Sequence, residues 1–199
     1  MKVIYIRDSQ SSGYLRIGFF DGEEKVEYTV SESDYRDLGS LLVGDAVEDI
    51  EQFRLSDMRY RAKLSALRIL SYGDSNTRTL KRKLVLRSIS PDIASDICNE
   101  MVGLGYVNEC RQLEKLIENE ANIKLSGRKR IFQKMLSKGY KKSDIESVLE
   151  CLISHGIVNF EKSKQKLIEK KFPQGASAEE IRALLYKNGS GDTSAPLDF

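Results

Sequence analysis

The sequence contains no tryptophan, one histidine, three prolines and three cysteines in 199 residues. It has no P-loop, dinucleotide-binding, HExxH or GxSxG pattern, the spacings that mark common phosphate-binding and hydrolytic sites. An odd number of cysteines without a CxxC spacing favours neither a disulfide framework nor a zinc site. We therefore predict that the protein is not an enzyme and that it uses no metal and no cofactor.

Long apolar runs are also missing. No stretch approaches the ~20 residues that cross a bilayer. Residues 1–7 are too short an apolar segment, and too soon interrupted by charge, to be a secretory signal. With 40% hydrophobic and 31% charged residues, the chain has the composition of a folded protein. We expect a cytoplasmic monomer.

Charge is unevenly distributed, although the net charge is only +2. Residues 1–57 carry 6 Lys and Arg against 13 Asp and Glu, a net charge of −7. Residues 58–189 carry 26 against 15, a net charge of +11. A basic body behind an acidic head suggests a polyanion, or a protein that already holds one, as the partner. The alternative is a lysine-rich helical surface that only faces solvent.

The N-terminal residues have the pattern of a small antiparallel sheet. Residues 3–6 and 14–20 are rich in β-branched and aromatic side chains, and residues 25–30 alternate polar with apolar. Asp21-Gly22 provides a turn before the last of these segments. We predict two or three strands that need another element to pack against.

Short helices follow the predicted sheet. Ser31 is a helix N-cap, and apolar residues at helical spacing continue from Tyr35 to a stop at Gly44. Residues 46–53 are compatible with another short helix. We therefore place the end of the N-terminal region at residue 57.

From residue 58 the apolar period becomes that of helices. A first helix ends at Gly73, and its apolar stripe consists of Tyr60, Leu64, Leu67 and Leu70. A second follows the polar cluster 74–77, with Leu80, Leu84 and Val85 as its apolar residues. A third begins at Ser90-Pro91, with serine as cap and proline in the first turn, and ends at Gly103 or Gly105.

The same pattern returns after a shift of 51 residues. The apolar positions of the second and third helices fall on apolar positions again: Leu80, Leu84, Ala94, Ile97, Cys98, Met101 and Val102 match Ile131, Met135, Ile145, Val148, Leu149, Leu152 and Ile153. Residues 104–108 match 155–159, with a shared Gly-x-Val-Asn ending. A third copy begins and includes a capping box, Ser177 to Glu180.

These patterns predict a mainly α-helical protein of tandem three-helix repeats. We divide it into an N-terminal region with strands and short helices (1–57), repeat 1 (58–108), repeat 2 (109–159), a third repeat truncated to two helices (160–189) and a tail (190–199). Because each repeat is too small to bury its own apolar faces, neighbouring repeats must stack. We expect an elongated, curved body.

Few side chains suit catalysis. His155 falls at the end of a helix, where the helix dipole favours a cation. Cys98 and Cys151 fall in the third helices of successive repeats, and we expect both to be buried as small apolar residues. Cys110 is at a helix start, where a thiolate would be mildly stabilised, so redox sensing is an alternative there. The acidic pairs at 23–24 and 179–180 belong to a predicted turn and to the first turn of a predicted helix, so neither pair needs a catalytic role.

Basic residues cluster on the second helix of each repeat. Arg78 and Lys83 fall on Lys129 and Lys134 at the same shift of 51, so charge repeats along with the core. Cations at these spacings on successive helices can form a stripe along one face. The candidate partner-binding residues are Arg78, Lys81, Arg82, Arg87, Arg128, Lys129, Arg130, Lys134, Lys138, Lys141 and Lys142.

Several segments resemble the RecX family. Residues 66–71 (ALRILS) and 79–84 (TLKRKL) are similar to the opening of its first repeat. Residues 104–108, and again 155–159, resemble its Gly-x-aliphatic-Asn element. Residues 127–140 are similar to its Gly-x2-basic-Ile and Leu-x2-basic-Gly patterns. The chain departs from the family at Thr79, where glutamate is common, and over residues 111–117, where aromatic and alanine residues are expected.

The resemblance covers residues 1–189, and the head with Asp21-Gly22-Glu23 resembles the extension of Gram-positive-type members. It implies a regulator that binds in the helical groove of the RecA recombinase filament on single-stranded DNA. It further implies that the ATPase and strand exchange of RecA are modulated, usually by inhibition, in recombination, repair and the SOS response.

Two other functions fit the same residues. Three-helix repeats resemble helix-turn-helix modules, so the chain could bind nucleic acid directly. The second helices contain few Asn or Gln for adenine contacts, which favours sequence-nonspecific binding. A repeat scaffold without nucleic acid explains the fold but leaves the basic clusters unexplained.

Overall fold

The computed structural model describes residues 1–191, so most of the predicted tail lies outside the described residues. The strands are β1 (Lys2–Asp8), β2 (Tyr14–Phe20) and β3 (Lys25–Ser31). The α-helices of this range are α1 (Glu32–Asp37), α2 (Glu51–Ser71), α3 (Thr77–Val85), α4 (Pro91–Gly103), α5 (Glu109–Glu118), α6 (Arg128–Ser137), α7 (Lys142–Ser154), α8 (Phe160–Lys171) and α9 (Ala178–Asn188). The predicted fold class, mainly helical with an N-terminal antiparallel sheet, is confirmed.

The backbone forms two compact units. The first consists of Met1–Ser75 and Leu80–Tyr106, and the second consists of Asn76–Thr79 and the described residues from Val107 onward. The core of the second unit is formed by buried side chains of α5, α6 and α7.

The N-terminal strands form an antiparallel sheet in the order β1-β2-β3. Val3 pairs with Phe19 between the first two strands, and Ile17 pairs with Tyr28 between the last two. The ring of Phe19 lies 5.0 Å from the ring of Phe53 in α2, in an edge-to-face arrangement. One face of the sheet is therefore buried against the start of α2, the apolar partner that a three-stranded sheet requires.

The helix that Ser31 begins is shorter than predicted. The Ser31 hydroxyl accepts the N–H of Asp34 at 3.0 Å, as expected of an N-cap. The helix ends at Asp37 rather than at Gly44, because Gly39 adopts a left-handed φ of 94° that α-helical residues do not have.

The helix α2 begins before the predicted boundary at residue 57. The short helix predicted over residues 46–53 is wrong, because Ala46 forms a β-bridge with Lys2. The helix starts instead at Glu51 and continues without a break through residue 57 to its end. The first helix of the predicted repeat 1 therefore extends back into the predicted N-terminal region as one continuous helix.

The buried face of α2 also differs from the predicted apolar stripe. Leu64 is 44% exposed, whereas Ala62 and Ala66 are fully buried. Small side chains allow helix backbones to approach their neighbours closely, so the buried face of α2 consists partly of alanines rather than of the predicted leucines.

Helices α3 and α4 return 51 residues later as α6 and α7, with equivalent buried positions. Leu80 and Leu84 are fully buried in α3, and Ile131 and Met135 are fully buried in α6. Further buried pairs at the same shift are Ala94 and Ile145, Ile97 and Val148, Cys98 and Leu149, Met101 and Leu152, and Val107 and Val158.

The ends of α4 and α7 are equivalent as well. Gly105 and Gly156 have φ of 76° and 71°, values that favour glycine after a helix. Asn108 and Asn159 then cap α5 and α8, and each side chain accepts a backbone N–H at 3.0 Å. These equivalences support the 51-residue repeat, whose predicted boundaries stay predictions.

Two hydrogen bonds within the second unit each connect the residue before one helix to a carbonyl at the end of another, and we call them the helix-end joints. The side-chain amide of Asn76 donates to the carbonyl of Lys138 at 3.0 Å. The backbone N–H of Gly127, 51 residues after Asn76, donates to the carbonyl of Asn188 at 2.9 Å. A Cβ atom on Gly127 would overlap the backbone of Gly189. The end of α6 thus lies against the start of α3, and the end of α9 against the start of α6.

Candidate functional site

The predicted partner-binding residues are mostly on the surface. Of the eleven, Lys81 and Lys134 are half-buried and the other nine are exposed. Lys81, Arg82 and Arg87 belong to the first unit, and the remaining eight belong to the second. The second unit therefore carries most of the candidate site.

Arg128 and Lys129, at the start of α6, line two clefts, which we call the α6 clefts. The larger has a volume of about 400 Å³ and is lined also by Phe132, Gln133, Lys142, Glu146 and Leu149. The smaller has a volume of about 220 Å³ and is lined also by Phe160, Lys164 and residues 189–191. Because both clefts share Arg128 and Lys129, cationic groups extend across the surface from α7 to α8.

The structure separates cations that are already paired from cations that are not. Lys134 forms an ion pair with Glu120 at 2.6 Å, and Lys142 forms a longer one with Glu146 at 3.8 Å. Among residues 1–191, no carboxylate lies within 4.0 Å of the Arg128 or Lys129 side chains. Of the described cations that line the α6 clefts, these two lack a carboxylate partner, whereas Lys142 and Lys164 each have one.

Glu120 was not recognised from the sequence. It lies in a π-helical turn, Asn119–Ile123, that follows α5, and its side chain is only 5% exposed. Besides Lys134, it pairs with Lys124 at 2.7 Å. Burial raises the pKa of Glu120, but the hydrogen bonds from Lys124 and Lys134 outweigh burial, and the resulting pKa is below its ordinary value. Lys134 thus stabilises the fold, which weakens its case as a partner contact.

We expect Glu120→Gln to lower the free energy of unfolding by about 1–3 kcal/mol at pH 7, because the buried negative charge that accepts from both Lys124 and Lys134 is removed. A pKa below the ordinary value means that ionised Glu120 stabilises the fold at neutral pH, and that this contribution is lost as pH falls through the folded-state pKa. Urea unfolding at pH 7 and at pH 3 measures both effects. Equal stability of variant and wild type at pH 7 would contradict the assignment.

The histidine has a structural position. His155 is the C-cap of α7, and its Nδ1 lies 2.8 Å from the carbonyl oxygen of Cys151. Cys98 is buried as expected, but the expectation for Cys151 is wrong because Cys151 is exposed. At the 51-residue shift Cys151 matches Glu100 rather than Cys98, so it lies away from the buried positions.

Cys110 does not have the environment of a stabilised thiolate. Burial raises the pKa of its thiol, and the carboxylate of Glu114, 3.7 Å from its Sγ, raises it further. Both influences disfavour the thiolate, so the hypothesis of a stabilised thiolate is wrong.

Within residues 1–191, no three or more His, Cys, Asp or Glu side chains are grouped so as to hold a metal ion. Within the same residues, no helix is both long and apolar enough to span a bilayer.

The fold and the α6 clefts define a class: a helical-repeat protein with an N-terminal sheet and an exposed group of cations. No family model matches the chain. The chain is 29% identical over 131 residues to the regulatory protein RecX of Caldanaerobacter subterraneus subsp. tengcongensis, covering 64% of each chain. It is 26% identical over 102 residues to the regulatory protein RecX of Clostridioides difficile, covering 51% of this chain and 48% of the relative. The chain therefore spans about half to just under two thirds of these relatives.

Solved structures show the same fold. A crystal structure of regulatory protein RecX matches 94% of this chain with a TM-score of 0.72 at 19% identity, and 93% of that structure is covered. RecX from Lactobacillus salivarius matches 67% of this chain with a TM-score of 0.58 at 20% identity, and 88% of that structure is covered. The resemblance to the RecX family is confirmed by these relatives and by the shared fold.

Proposed function

We propose that this protein regulates the RecA recombinase by binding the RecA filament on single-stranded DNA and restraining its ATPase and strand exchange. The observation that carries the proposal is the pair of exposed cations Arg128 and Lys129, which line both α6 clefts without a carboxylate partner among the described residues, in a chain similar to RecX proteins. Its similarity to proteins named regulatory supports a regulator rather than a catalyst.

The electrostatics of the clefts suit this partner. A nucleoprotein filament presents phosphates at regular intervals, and each phosphate that a cation neutralises releases counterions. Arg128 and Lys129 have no acidic partner among the described residues, so they lose no internal ion pair when they meet a phosphate or an acidic side chain. Binding through such groups favours rapid association and strong salt dependence.

We propose further that the protein acts without catalysis, as a cytoplasmic monomer. Regulation by binding requires only that the regulator binds the active and inactive states of the filament with different affinities. The chain then needs a complementary surface rather than a reaction centre.

The second candidate is a free-standing, sequence-nonspecific nucleic-acid binder. The same cations favour it, because phosphate contacts alone support binding to any sequence. The two functions differ in whether RecA is required.

Co-sedimentation with RecA tests the proposal, with and without single-stranded DNA and a nucleotide. We expect capture to require the assembled filament, and the DNA-dependent ATPase to fall as the protein is added. Capture by naked single-stranded DNA at equal affinity, with the RecA ATPase unchanged, would establish the second candidate instead.

A further inference from the structure

A tight turn of the first unit exposes two adjacent apolar side chains. Leu42 and Val43 are 71% and 63% exposed, and we call residues 42–45 the exposed turn. Single exposed apolar residues are common on protein surfaces, but two adjacent ones form a continuous apolar surface. Four other apolar residues of the connection between α1 and α2 pack against the core of this unit instead: Leu38, Leu41, Val47 and Ile50.

Hydrogen bonds fix the backbone of the exposed turn. The N–H of Asp45 donates to the carbonyl of Leu42 at 3.1 Å, and the Asp45 carboxylate accepts the N–H of Leu42 at 2.7 Å. Gly44 has a left-handed φ of 101°, which favours glycine at the third residue of a turn. Two further bonds attach the turn to β1, from the Gly44 N–H to the Val3 carbonyl at 2.8 Å and from the Val3 N–H to the Asp45 carbonyl at 3.0 Å. Because this backbone is already ordered, its side chains can bind a partner at a small cost in conformational entropy.

The segment that contains the exposed turn is strongly negative. Residues 32–51 contain seven Asp and Glu against one cation, Arg36, a net charge of −6. The exposed carboxylates of Asp37, Glu48 and Asp49 have no Lys, Arg or His nitrogen within 4.0 Å among the described residues. Such a surface repels phosphates and attracts lysine and arginine. Its charge therefore suits a basic protein surface rather than a nucleic acid.

Another turn of the same unit shows that apolar residues are not needed to build one. Residues 21–24 join β2 and β3, and the Asp21 carboxylate accepts the N–H groups of Glu23 and Glu24 at 2.9 and 2.8 Å. This turn is fixed by a carboxylate, as the exposed turn is, but it exposes only glycine and charged residues. The apolar pair of the exposed turn thus has no structural role that the turn itself requires.

We propose that the exposed turn docks onto a protein surface with an apolar pocket bordered by lysine or arginine. Leu42 and Val43 fill the pocket, and the carboxylates of residues 32–51 meet its basic border. In the proposed function this surface belongs to the RecA subunits rather than to the DNA, so the inference rests on that function for the identity of the partner. The exposed turn and the α6 clefts differ in the sign of their charge, so they select different parts of the filament.

Nuclear magnetic resonance of the Leu42 and Val43 methyl groups tests this chemistry without RecA. The probes are three short synthetic peptides, composed of leucine with lysine, leucine with glutamate, and serine with lysine. We expect the leucine–lysine peptide alone to shift the methyl signals, because it offers both an apolar surface and cations. The shift should diminish as salt rises, since the charges are screened. The methyl signals of Leu86, which is 77% exposed outside the exposed turn, are the internal control and should stay unchanged.

Leu42→Ser with Val43→Ser removes the apolar surface and leaves every backbone hydrogen bond of the turn in place. We expect this variant to bind the RecA filament about ten- to hundredfold more weakly than wild type in co-sedimentation, with an unchanged unfolding midpoint. Leu86→Ser with Leu104→Ser is the matched control, because these leucines are 77% and 55% exposed in the same unit. It should bind as wild type does.

The inference is overturned if the leucine–lysine peptide leaves the methyl signals unchanged, if either other peptide shifts them equally, or if the folded double-serine variant binds the filament normally. Self-association of wild type that this variant abolishes would also overturn it, and would assign the exposed turn to a second copy of the chain. If wild type does not bind RecA while the leucine–lysine peptide still shifts the methyl signals, the proposed function fails and the docking surface stands. If wild type and the double-serine variant restrain RecA equally, the docking surface fails alone.

Discussion

Reversing three charges at the α6 clefts should weaken association with the RecA filament by about 2–4 kcal/mol, or roughly 30- to 1000-fold. The variant combines Arg128→Glu, Lys129→Glu and Lys142→Glu. Single alanine changes should have little effect, because exposed ion pairs contribute only ~0.2–1 kcal/mol each. Reversal removes several attractions and adds repulsion of the phosphates. Inhibition of the DNA-dependent ATPase of RecA, over a range of protein concentrations, measures the loss.

A matched reversal separates a local contact from net charge. Arg111→Glu, Lys115→Glu and Arg182→Glu make the same change in charge at three exposed positions that do not line the α6 clefts. This control should retain most of its inhibition, and wild-type inhibition should weaken as salt rises. Equal inhibition by the cleft variant and wild type, unaffected by salt, would show that these cations only face solvent.

Gly127→Ala should lower the free energy of unfolding by about 2–4 kcal/mol, the upper range for overpacking a close contact. The added Cβ would overlap backbone atoms of Gly189 and Ser190, which cannot rotate away as a side chain can. The start of α6 and the end of α9 must then separate, and the hydrogen bond from Gly127 to the carbonyl of Asn188 weakens. Denaturant unfolding followed by circular dichroism measures the change.

Gly103→Ala is the control for this substitution. A Cβ at Gly103 meets no atom within 4 Å, and its φ is not left-handed, so alanine should be tolerated without loss of stability. If the two variants were equally stable, the close contact between Gly127 and Gly189 would not exist in solution.

Helix starts that carry their own caps were predictable. Ser31, Ser90 and Ser177 each accept a backbone N–H three residues later, and a serine at this place is visible in the sequence. The start of α2 was missed for the corresponding reason: its N-cap is Ile50, whose side chain has no acceptor. Its position depends on the β-bridge between Ala46 and Lys2, a contact between residues far apart in the chain.

The candidate site was predictable in its residue types and less so in its pairings. Nine of the eleven cations are exposed, as expected of charged residues on amphipathic helices. That Lys134 is neutralised depends on Glu120, 14 residues away and displaced by a π-helical turn that no spacing rule indicates. The lack of a side-chain cap at α6 was not predictable, because the equivalent helix α3 takes part of its cap from Glu109, which lies far along the chain.

The helix-end joints have a consequence for how chains of this design can change in length. Each joint is formed by the end of one second helix and the start of the previous one: the end of α6 meets the start of α3, and the end of α9 meets the start of α6. The same two kinds of helix end are thus used at both joints, and each second helix can offer its start to the following copy and its end to the preceding one. The end of the second helix of an additional 51-residue copy, inserted between α6 and α9, would meet the start of α6, and its start would meet the end of α9.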